Sequence, residues 1–403
     1  MRAGFAAALA AGLVLLCAGL WLGGHPQDLP GPLRDAFVDD STALSAEAID
    51  AIEDDYYRPV DADELRDAGV SGIVSDLRKR HREDRFSHYF SPRQAEILRE
   101  ETEGRFSGVG LSVAESRRGL RVIDVFDGAP AAEAGIRVGE LIVSVDGKSI
   151  AGQPVDLSTA KIKGEAGTEV TLGVVRPGRP GPRRERLERA EVATPIVERR
   201  LRRVGGKRIG YVKLLGFSRG ANEALREAVE RLQGRGARGI LLDLRGNPGG
   251  LLTEAVSTSS VFLPADEVVV TTRGRTEPRR VYRSSGDPVP RRPLVVLIDR
   301  GTASAAEILA SALADNGLAQ IVGTRSFGKG LYQHVIDLSN GGELDLTVGE
   351  FFTAGSISLA PKGIKPDVRA ADDPRTGADE ALRRALAVLA PSVAGPVATG
   401  QGG

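Results

Sequence analysis

The chain has 403 residues, enough for two or three domains, and its 54 basic and 54 acidic side chains give a formal net charge of zero. This balance gives no global electrostatic case for a nucleic-acid partner. The one cysteine, Cys17, excludes a disulfide within the chain and a cysteine-built zinc site in the folded part. No His-Glu-x-x-His spacing occurs, so a zinc peptidase is not expected.

An uncharged stretch of apolar and small residues fills positions 4–24 behind Arg2. It is long enough to span a bilayer and longer than the core of a typical signal peptide. We therefore expect residues 1–27 to form an uncleaved membrane anchor. Arg2 would be cytoplasmic and the rest of the chain exported, on the outer face of the cytoplasmic membrane. The alternative is a cleaved signal peptide and a secreted or periplasmic protein.

Residues 28–103 predict a helical region to which we assign no chemistry. Ser45 is a candidate N-cap for a helix that ends at Asp55. Amphipathic spacing continues over 60–80, and a further helix is expected after Pro92.

Residues 104–180 contain short apolar runs separated by glycine turns, including an Asp-Gly turn at 146–147. The order of these elements, beginning with the Gly-rich run at 104–113, resembles a PDZ domain. The resemblance implies that backbone N–H groups bind a peptide carboxylate and that the following strand edge pairs with an extended peptide. The implied peptide-binding residues are Gly108, Val109, Gly110 and Leu111.

Turn-rich, charged residues at 181–190 predict a linker without regular structure. Beyond it, residues 191–370 alternate apolar strand-like runs with helical patterns, which predicts an α/β core. Two of the runs are 294–298 and 319–323, and a pair of strands is expected over 343–359. Residues 371–403 predict a terminal helix followed by a disordered tail.

Ser304 follows the buried strand predicted at 294–298 and stands where a helix begins. Unpaired backbone N–H groups and the helix dipole favour negative charge at such a place. A nucleophile there would find donors for an oxyanion. The alternative interpretation is that Ser304 or Thr302 only caps the helix.

Lys329 lies between Gly328 and Gly330, which suggests a tight backbone with the amine directed inward. Strand alternation places Lys329, Leu331 and Gln333 on one face and His334 on the other. A lysine base must be neutral, and working near pH 7 requires its pKa to fall by roughly 3 units, about 4 kcal/mol. Burial can lower the pKa by that much. The alternative is an ordinary surface lysine.

The segments 301–308 and 323–330 together resemble the carboxyl-terminal processing proteases, the Ser/Lys tail-specific peptidases. The resemblance extends over about residues 45–390. It implies that Ser304 is the nucleophile, that Lys329 is its base and that Gln333 orients the base, with no metal or cofactor needed. The implied fold is a multidomain α/β chain: a helical N-terminal region, a PDZ β-domain and then a ClpP/crotonase-like α/β protease core.

Asp243 to Leu251 is another signature of these proteases, with paired glycines at a strand-to-helix turn. We expect the N–H groups of Gly250 and Ala305 to form the oxyanion hole, with Gly249 as the alternative to Gly250. Glu307, one helical turn beyond the nucleophile, is expected either to adjust the electrostatics of the site or to act as an ordinary helix-start carboxylate.

The expected function is that of a serine endopeptidase that recognises the free C-terminus of protein substrates and cleaves through an acyl-enzyme. A homo-oligomer or an activating partner is possible in such a system. The first alternative is a PDZ-bearing scaffold whose protease core is inactive or tightly gated. A crotonase-like acyl-thioester enzyme is the second, although the PDZ-like segment argues against it.

Overall fold

The computed structural model describes residues 40–126, 128–153, 155–179, 181–373 and 375–393. The chain divides into two units, the first ending at Ser91 and the second beginning at Pro92. The membrane anchor predicted over residues 1–27 lies outside the described residues. Among the helices of the described ranges, none is both long enough and apolar enough to cross a bilayer.

The first unit consists of helix α1 (Asp40–Asp55), helix α2 (Ala62–Arg80) and strand β1 (His88–Phe90). Helix α2 begins where the Asp61 carboxylate accepts a hydrogen bond from the N–H of Asp63 at 2.8 Å. The N-cap predicted at Ser45 is wrong, because helix α1 already begins at Asp40. Residues 40–42, Asp-Ser-Thr, precede Ser45 and are also good cap formers, so the sequence offers several positions at which the helix could begin.

The second unit begins with helix α3 (Pro92–Glu103) and continues into a β-rich part. Its elements are β2 (Arg105–Gly108), β3 (Leu111–Ser116), β4 (Gly119–Val125), α4 (Pro130–Glu133), β5 (Leu141–Val145), β6 (Lys148–Ser149), α5 (Val155–Ile162), β7 (Glu169–Val175), β8 (Arg183–Glu188) and β9 (Ala190–Ala193). Strands β3, β4, β5, β7 and β8 form one sheet in that order, with β6 beside β5. Leu120, Ile142 and Leu172 are fully buried at its centre.

The linker predicted over 181–190 is wrong, because strand β8 occupies most of it. Residues 183–188 pair with β7 along their whole length in an antiparallel register. Leu187 is the only apolar side chain of β8, and it is buried in the core of this sheet. The other positions carry arginine and glutamate, so the sequence shows no apolar alternation from which a strand could be recognised.

The remaining elements build the α/β core. They are β10 (Val197–Val204), β11 (Lys207–Leu214), α6 (Ala221–Gly234), β12 (Ile240–Asp243), α7 (Leu252–Ser259), β13 (Val268–Gly274), β14 (Arg280–Arg283), β15 (Leu294–Ile298), α8 (Ala305–Asp315), β16 (Ala319–Gly323), β17 (Leu331–Asp337), β18 (Glu343–Thr353), β19 (Val368–Arg369) and α9 (Glu380–Ser392). The main sheet has the order β10-β11-β12-β15-β16-β19. All its neighbouring strands are parallel except β10 and β11.

Both faces of the main sheet are covered, which explains why its inner strands β12 and β15 are buried at every position and consist almost entirely of apolar residues. Leu242 and Val296 point into the core shared with helices α6, α7 and α8. Leu241 and Val295 point to the opposite face, where helix α9 packs. The carboxyl ends of the parallel strands therefore lie at one edge of the sheet, where open α/β sheets bind ligands.

A second sheet within this unit contains β17, β18, β13 and β14, all paired antiparallel. The two strands predicted over 343–359 are instead one long strand, β18, which ends at Thr353. Ser358, beyond the end of β18, forms an isolated bridge with Phe352. The Ala-Gly-Ser turn after Thr353 ends the strand in the structure but does not lead into a regular partner.

Candidate active site

Ser304 lies in the turn between strand β15 and helix α8, with a backbone conformation that L-residues rarely adopt. Its φ is 54° and its ψ is −119°, a strain of about 1–3 kcal/mol that the surrounding structure must hold. The N–H of Ala303 donates to the carbonyl of Asn247 at 2.9 Å, and the Thr302 hydroxyl donates to the carbonyl of Leu244 at 2.8 Å. These bonds fix the turn at the carboxyl edge of the main sheet.

Glu307 has a fully buried carboxylate that accepts four hydrogen bonds. Its Oε2 accepts the backbone N–H groups of Ser304 and Lys329, each at 2.9 Å. Its Oε1 accepts the N–H of Gly328 at 2.8 Å and the hydroxyl of Ser326 at 2.5 Å. Burial raises the pKa of Glu307, and the four hydrogen bonds oppose that rise. One side chain therefore joins the turn that carries Ser304 to the loop that carries Lys329.

Lys329 is half-buried, and its loop runs directly against the turn at 360–361. A Cβ added at Gly328 would lie 2.4 Å from the Pro361 carbonyl oxygen, and one at Gly330 would lie 2.1 Å from the nitrogen of Ala360. Only glycine therefore fits on either side of the lysine. Burial lowers the pKa of Lys329, while the carboxylate of Asp345 partly opposes this by favouring the charged form.

Gln333 lies on strand β17, at a shift in the pairing with β18 where Val348 is the extra residue on β18. Its amide nitrogen donates to the Leu331 carbonyl at 3.3 Å and to the Thr347 hydroxyl at 3.2 Å. His334 is exposed, and its Nδ1 lies 3.4 Å from a carboxylate oxygen of Glu277. The structure thus engages His334 with Glu277 at the surface.

Gly249 packs directly against the turn that carries Ser304. A Cβ added at Gly249 would lie 2.8 Å from the Cβ of Ser304 and 2.9 Å from the nitrogen of Ala305. The N–H of Gly249 donates to Oδ1 of Asn247 at 2.9 Å, so this donor is already used. The alternative assignment of the oxyanion donor to Gly249 therefore requires breaking a hydrogen bond.

Gly250 is exposed and adopts a φ of 140°, and an added Cβ would lie 2.5 Å from the Phe217 carbonyl oxygen. The chain on either side of Gly250 is fixed, because Phe217 donates to the carbonyl of Gly249 and accepts from the N–H of Leu251. In the part of the chain that the structure describes, neither the Gly250 N–H nor the Ala305 N–H has a hydrogen-bond partner.

The predicted peptide-binding loop leads into strand β3, which lies at the edge of its sheet. Val109 is buried, and its carbonyl accepts the N–H of Ala131 at 2.9 Å. Gly110 adopts a φ of 77°, and an added Cβ would lie 2.1 Å from that of Ala129. Leu111 begins β3, whose outer edge has no partner strand among the described residues. Gly108 ends β2, which pairs with β9.

The role of Glu307 was underestimated from the sequence, and Ser326 and Asn247 were not recognised. Glu307 could be interpreted equally as a helix-start carboxylate, because its partners 326–329 are remote along the chain. An acidic residue three positions after the nucleophile is the one local signal, since that spacing fits a capping box. Among the described residues, no three potential metal ligands cluster.

Comparison with known proteins identifies the family to which the chain belongs. Residues 208–370 match the model of peptidase family S41, and residues 121–176 match that of the PDZ domain. The carboxy-terminal processing protease CtpA of Bacillus subtilis is 32% identical over 323 residues, which cover 80% of this chain and 67% of that protein. The carboxy-terminal-processing protease of Bartonella bacilliformis is 34% identical over 332 residues, covering 81% of this chain and 74% of the relative.

A solved structure from Bacteroides fragilis described as an S41 protease shares the fold, with a TM-score of 0.52 and 19% identity, over 84% of this chain and 91% of its own. The class is thus that of serine-type endopeptidases in which a PDZ domain precedes an α/β protease core. Within that class, the chain belongs to peptidase family S41 and to its carboxy-terminal processing proteases.

Proposed function

We propose that this protease cleaves protein substrates through an acyl-enzyme formed on Ser304, with Lys329 as the base. The observation that carries the proposal is the hydrogen bonding of Ser304 and Lys329 to one oxygen of Glu307. This bonding holds the backbone of a strained serine at a helix start close to the backbone of a lysine whose pKa burial lowers, which supports the pairing of the two side chains. A neutral amine beside a hydroxyl is the arrangement that an activated serine nucleophile needs.

In the first step, Nζ of Lys329 accepts the hydroxyl proton while Oγ of Ser304 attacks the scissile carbonyl. The C–N bond then breaks, and the proton passes from Lys329 to the leaving amine. Water then attacks the resulting ester while Lys329 again takes a proton. The C–O bond to Oγ of Ser304 breaks, Lys329 returns the proton to Oγ, and the acid product leaves. Gln333 would orient the ammonium through its amide oxygen, since its amide nitrogen already donates to Leu331 and Thr347.

The developing oxyanion would accept the N–H groups of Gly250 and Ala305. Support comes from their lack of partners within the described residues and from the contact of the Gly249 backbone with Ser304 and Ala305. Donors fixed in place in this way act without reorganising during the reaction. Removing one donor of an oxyanion hole costs about 3–4 kcal/mol of transition-state stabilisation.

We propose that the PDZ domain selects substrates by their free carboxyl end. The loop Gly108–Leu111 would bind the carboxylate, and an extended substrate tail would pair with the outer edge of β3. The open edge of β3 and the tight backbone at Gly110 support this assignment. The substrate class is therefore proteins with an accessible, unstructured C-terminus.

We further propose that residues 1–27 anchor the enzyme to the outer face of the cytoplasmic membrane, acting on exported proteins. The uncharged run at 4–24 behind Arg2 supports this placement. N-terminal sequencing of the exported protein tests it, because an intact Met1 supports the anchor. A new N-terminus beyond residue 24 would instead indicate a cleaved signal peptide.

The mechanism is tested by hydrolysis of an unfolded protein with an apolar C-terminus, using the wild type, Ser304→Ala and Lys329→Ala. Both variants are expected to lose turnover, and mass spectrometry of the quenched wild type should detect an acyl group on Ser304. Blocking the substrate's carboxyl end by amidation tests capture by the PDZ domain. Equal cleavage by the wild type and Ser304→Ala would favour the scaffold reading.

A further inference from the structure

Four exposed cations lie on three segments that flank the proposed site: Arg300, Arg325, Lys362 and Lys365, here called the basic rim. Their segments are joined by backbone hydrogen bonds. The turn that carries Arg300 is hydrogen-bonded at both ends to the loop that carries Arg325. The N–H of Thr324 donates to the carbonyl of Ile298 at 3.1 Å, and the N–H of Phe327 donates to the carbonyl of Thr302 at 2.9 Å.

Lys362 and Lys365 lie on a segment that is hydrogen-bonded to the loop that carries Arg325. The guanidinium of Arg325 donates to the carbonyl of Lys362 at 2.9 Å. The N–H of Ile364 donates to the Ser326 hydroxyl at 2.6 Å, and the N–H of Ser326 donates back to the carbonyl of Ile364 at 3.2 Å. Since Ser326 also bonds to Glu307, the basic rim is built directly on the framework that holds Ser304 and Lys329.

Among the described residues, the cations of the basic rim form no ion pair with an acidic side chain. The acidic side chains of the same segments are directed at the backbone instead. Asp299 accepts the N–H groups of Gly246 and Gly301, each at 2.9 Å, and Asp367 accepts the N–H of Ile321 at 2.8 Å. The positive charge is therefore left for a ligand that approaches the site.

We propose that the basic rim binds acidic side chains of the substrate polypeptide next to the scissile bond, so that the protease prefers acidic cleavage regions. The inference rests on the proposed function, because it places the substrate chain at Ser304. Each exposed ion pair is worth about 0.2–1 kcal/mol. Three acidic residues should therefore raise kcat/KM by roughly 3- to 100-fold over a neutral peptide.

The test uses peptides that share one apolar C-terminal sequence and differ only around the cleaved bond, with three aspartates, three asparagines or three lysines. The aspartate peptide should have the highest kcat/KM and the lysine peptide the lowest. The difference should shrink in high salt, because exposed charges are screened. The double variant Arg325→Glu/Lys362→Glu brings the net charge of the basic rim to zero and should abolish the difference between the three peptides.

The matched control is Arg235→Glu/Arg238→Glu, which changes the net charge equally at the opposite edge of the main sheet, where strand β12 begins. It should keep the wild-type order of peptides. Cleavage that needs Ser304 but ignores peptide charge would overturn the basic rim alone. Cleavage unaffected by Ser304→Ala would instead overturn the proposed mechanism. Rim-dependent binding to anionic phospholipid vesicles without peptide discrimination would assign the rim to a membrane surface and refute this proposal.

Discussion

Ser304 and Lys329 donate their backbone N–H groups to the same carboxylate oxygen of Glu307, each over 2.9 Å. The proposed nucleophile and the proposed base come from different loops, 25 positions apart along the chain. A buried carboxylate that satisfies donors from both loops fixes their spacing without touching the substrate. Glu307 is therefore a positioning residue in the proposed mechanism.

Replacing Glu307 with glutamine should lower kcat by about 100-fold, the scale expected when reacting groups move by about 1 Å. One carboxylate oxygen becomes an NH₂ group, so two backbone or hydroxyl donors then face a donor. Each unsatisfied buried donor costs about 1–3 kcal/mol. Steady-state kinetics measures the loss of kcat, and urea unfolding measures the loss of folding stability.

The matched control for that change is Glu227→Gln on the exposed face of helix α6, where the carboxylate pairs only with Arg231. Its kcat should match that of the wild type. A Glu307→Gln enzyme with unchanged kcat would show that the carboxylate does not set the geometry of the site.

The activity should rise with pH through an ionisation that belongs to Lys329, because only the neutral amine can accept the proton of Ser304. Burial lowers this pKa, so the rise should occur below the ordinary lysine value of about 10.4. The measurement is kcat/KM against pH for a peptide without ionisable side chains. Lys329→Arg should remove the rise together with the activity, since arginine stays charged. A wild-type profile with no such rise would contradict the role of Lys329.

Gly249→Ala should reduce kcat by at least 100-fold with a smaller effect on peptide binding. The added methyl group would lie 2.8 Å from the Cβ of Ser304, at a backbone φ of 102°. The nucleophile or the oxyanion turn must then move. Gly234→Ala is the control, because no atom lies within 4 Å of the added methyl group at that helix end. Equal kcat for the two variants would refute this close approach.

Glu140 should stabilise the PDZ domain in a pH-dependent way. Burial alone would raise its pKa, but hydrogen bonds from Arg183, Arg176 and the N–H of Arg137 lower it to about 2 from 4.5. Because the pKa is lower in the folded state, the stabilisation is present above about pH 4.5 and is lost as pH falls toward 2. Glu140→Gln should cost about 3 kcal/mol at pH 7. The loss of stability in Glu140→Gln, relative to the wild type, should become smaller in acid, as measured by thermal unfolding.

The control for this prediction is Glu133→Gln, because Glu133 is exposed on helix α4. A deficit of Glu140→Gln that is the same at pH 7 and pH 3 would mean that the charge of Glu140 contributes nothing to folding.

Where apolar periodicity is strong, the sequence predicts the fold closely. Strands β15 and β16 have the predicted bounds. Every residue of β15 is buried, and residues 321–323 of β16 are buried although Gln320 is exposed, because both faces of the main sheet are covered. Strand β8 was missed for the opposite reason, since Leu187 is the one side chain of that strand that needs burial. Charged residues at its exposed positions resemble those of a solvated linker.

The candidate site follows the same logic. Ser304 and Lys329 lie in turns rich in glycine or small residues, and such turns can be recognised from the sequence. The interactions of Glu307 and Asn247 cannot be recognised from the sequence, because they bind partners that are far away along the chain. The extra residue of β18 opposite Tyr332 and Gln333 could not be predicted either, because register depends on the pairing of the two strands.

Helix α9 has a consequence for a carboxy-terminal processing protease. Its apolar face, with Leu382, Ala385 and Leu389, packs against the main sheet, and its N-cap Asp379 is bonded to Arg245. Cleavage within this helix would first require its release from the sheet. Burial therefore protects this part of the chain from cleavage by another copy of the enzyme.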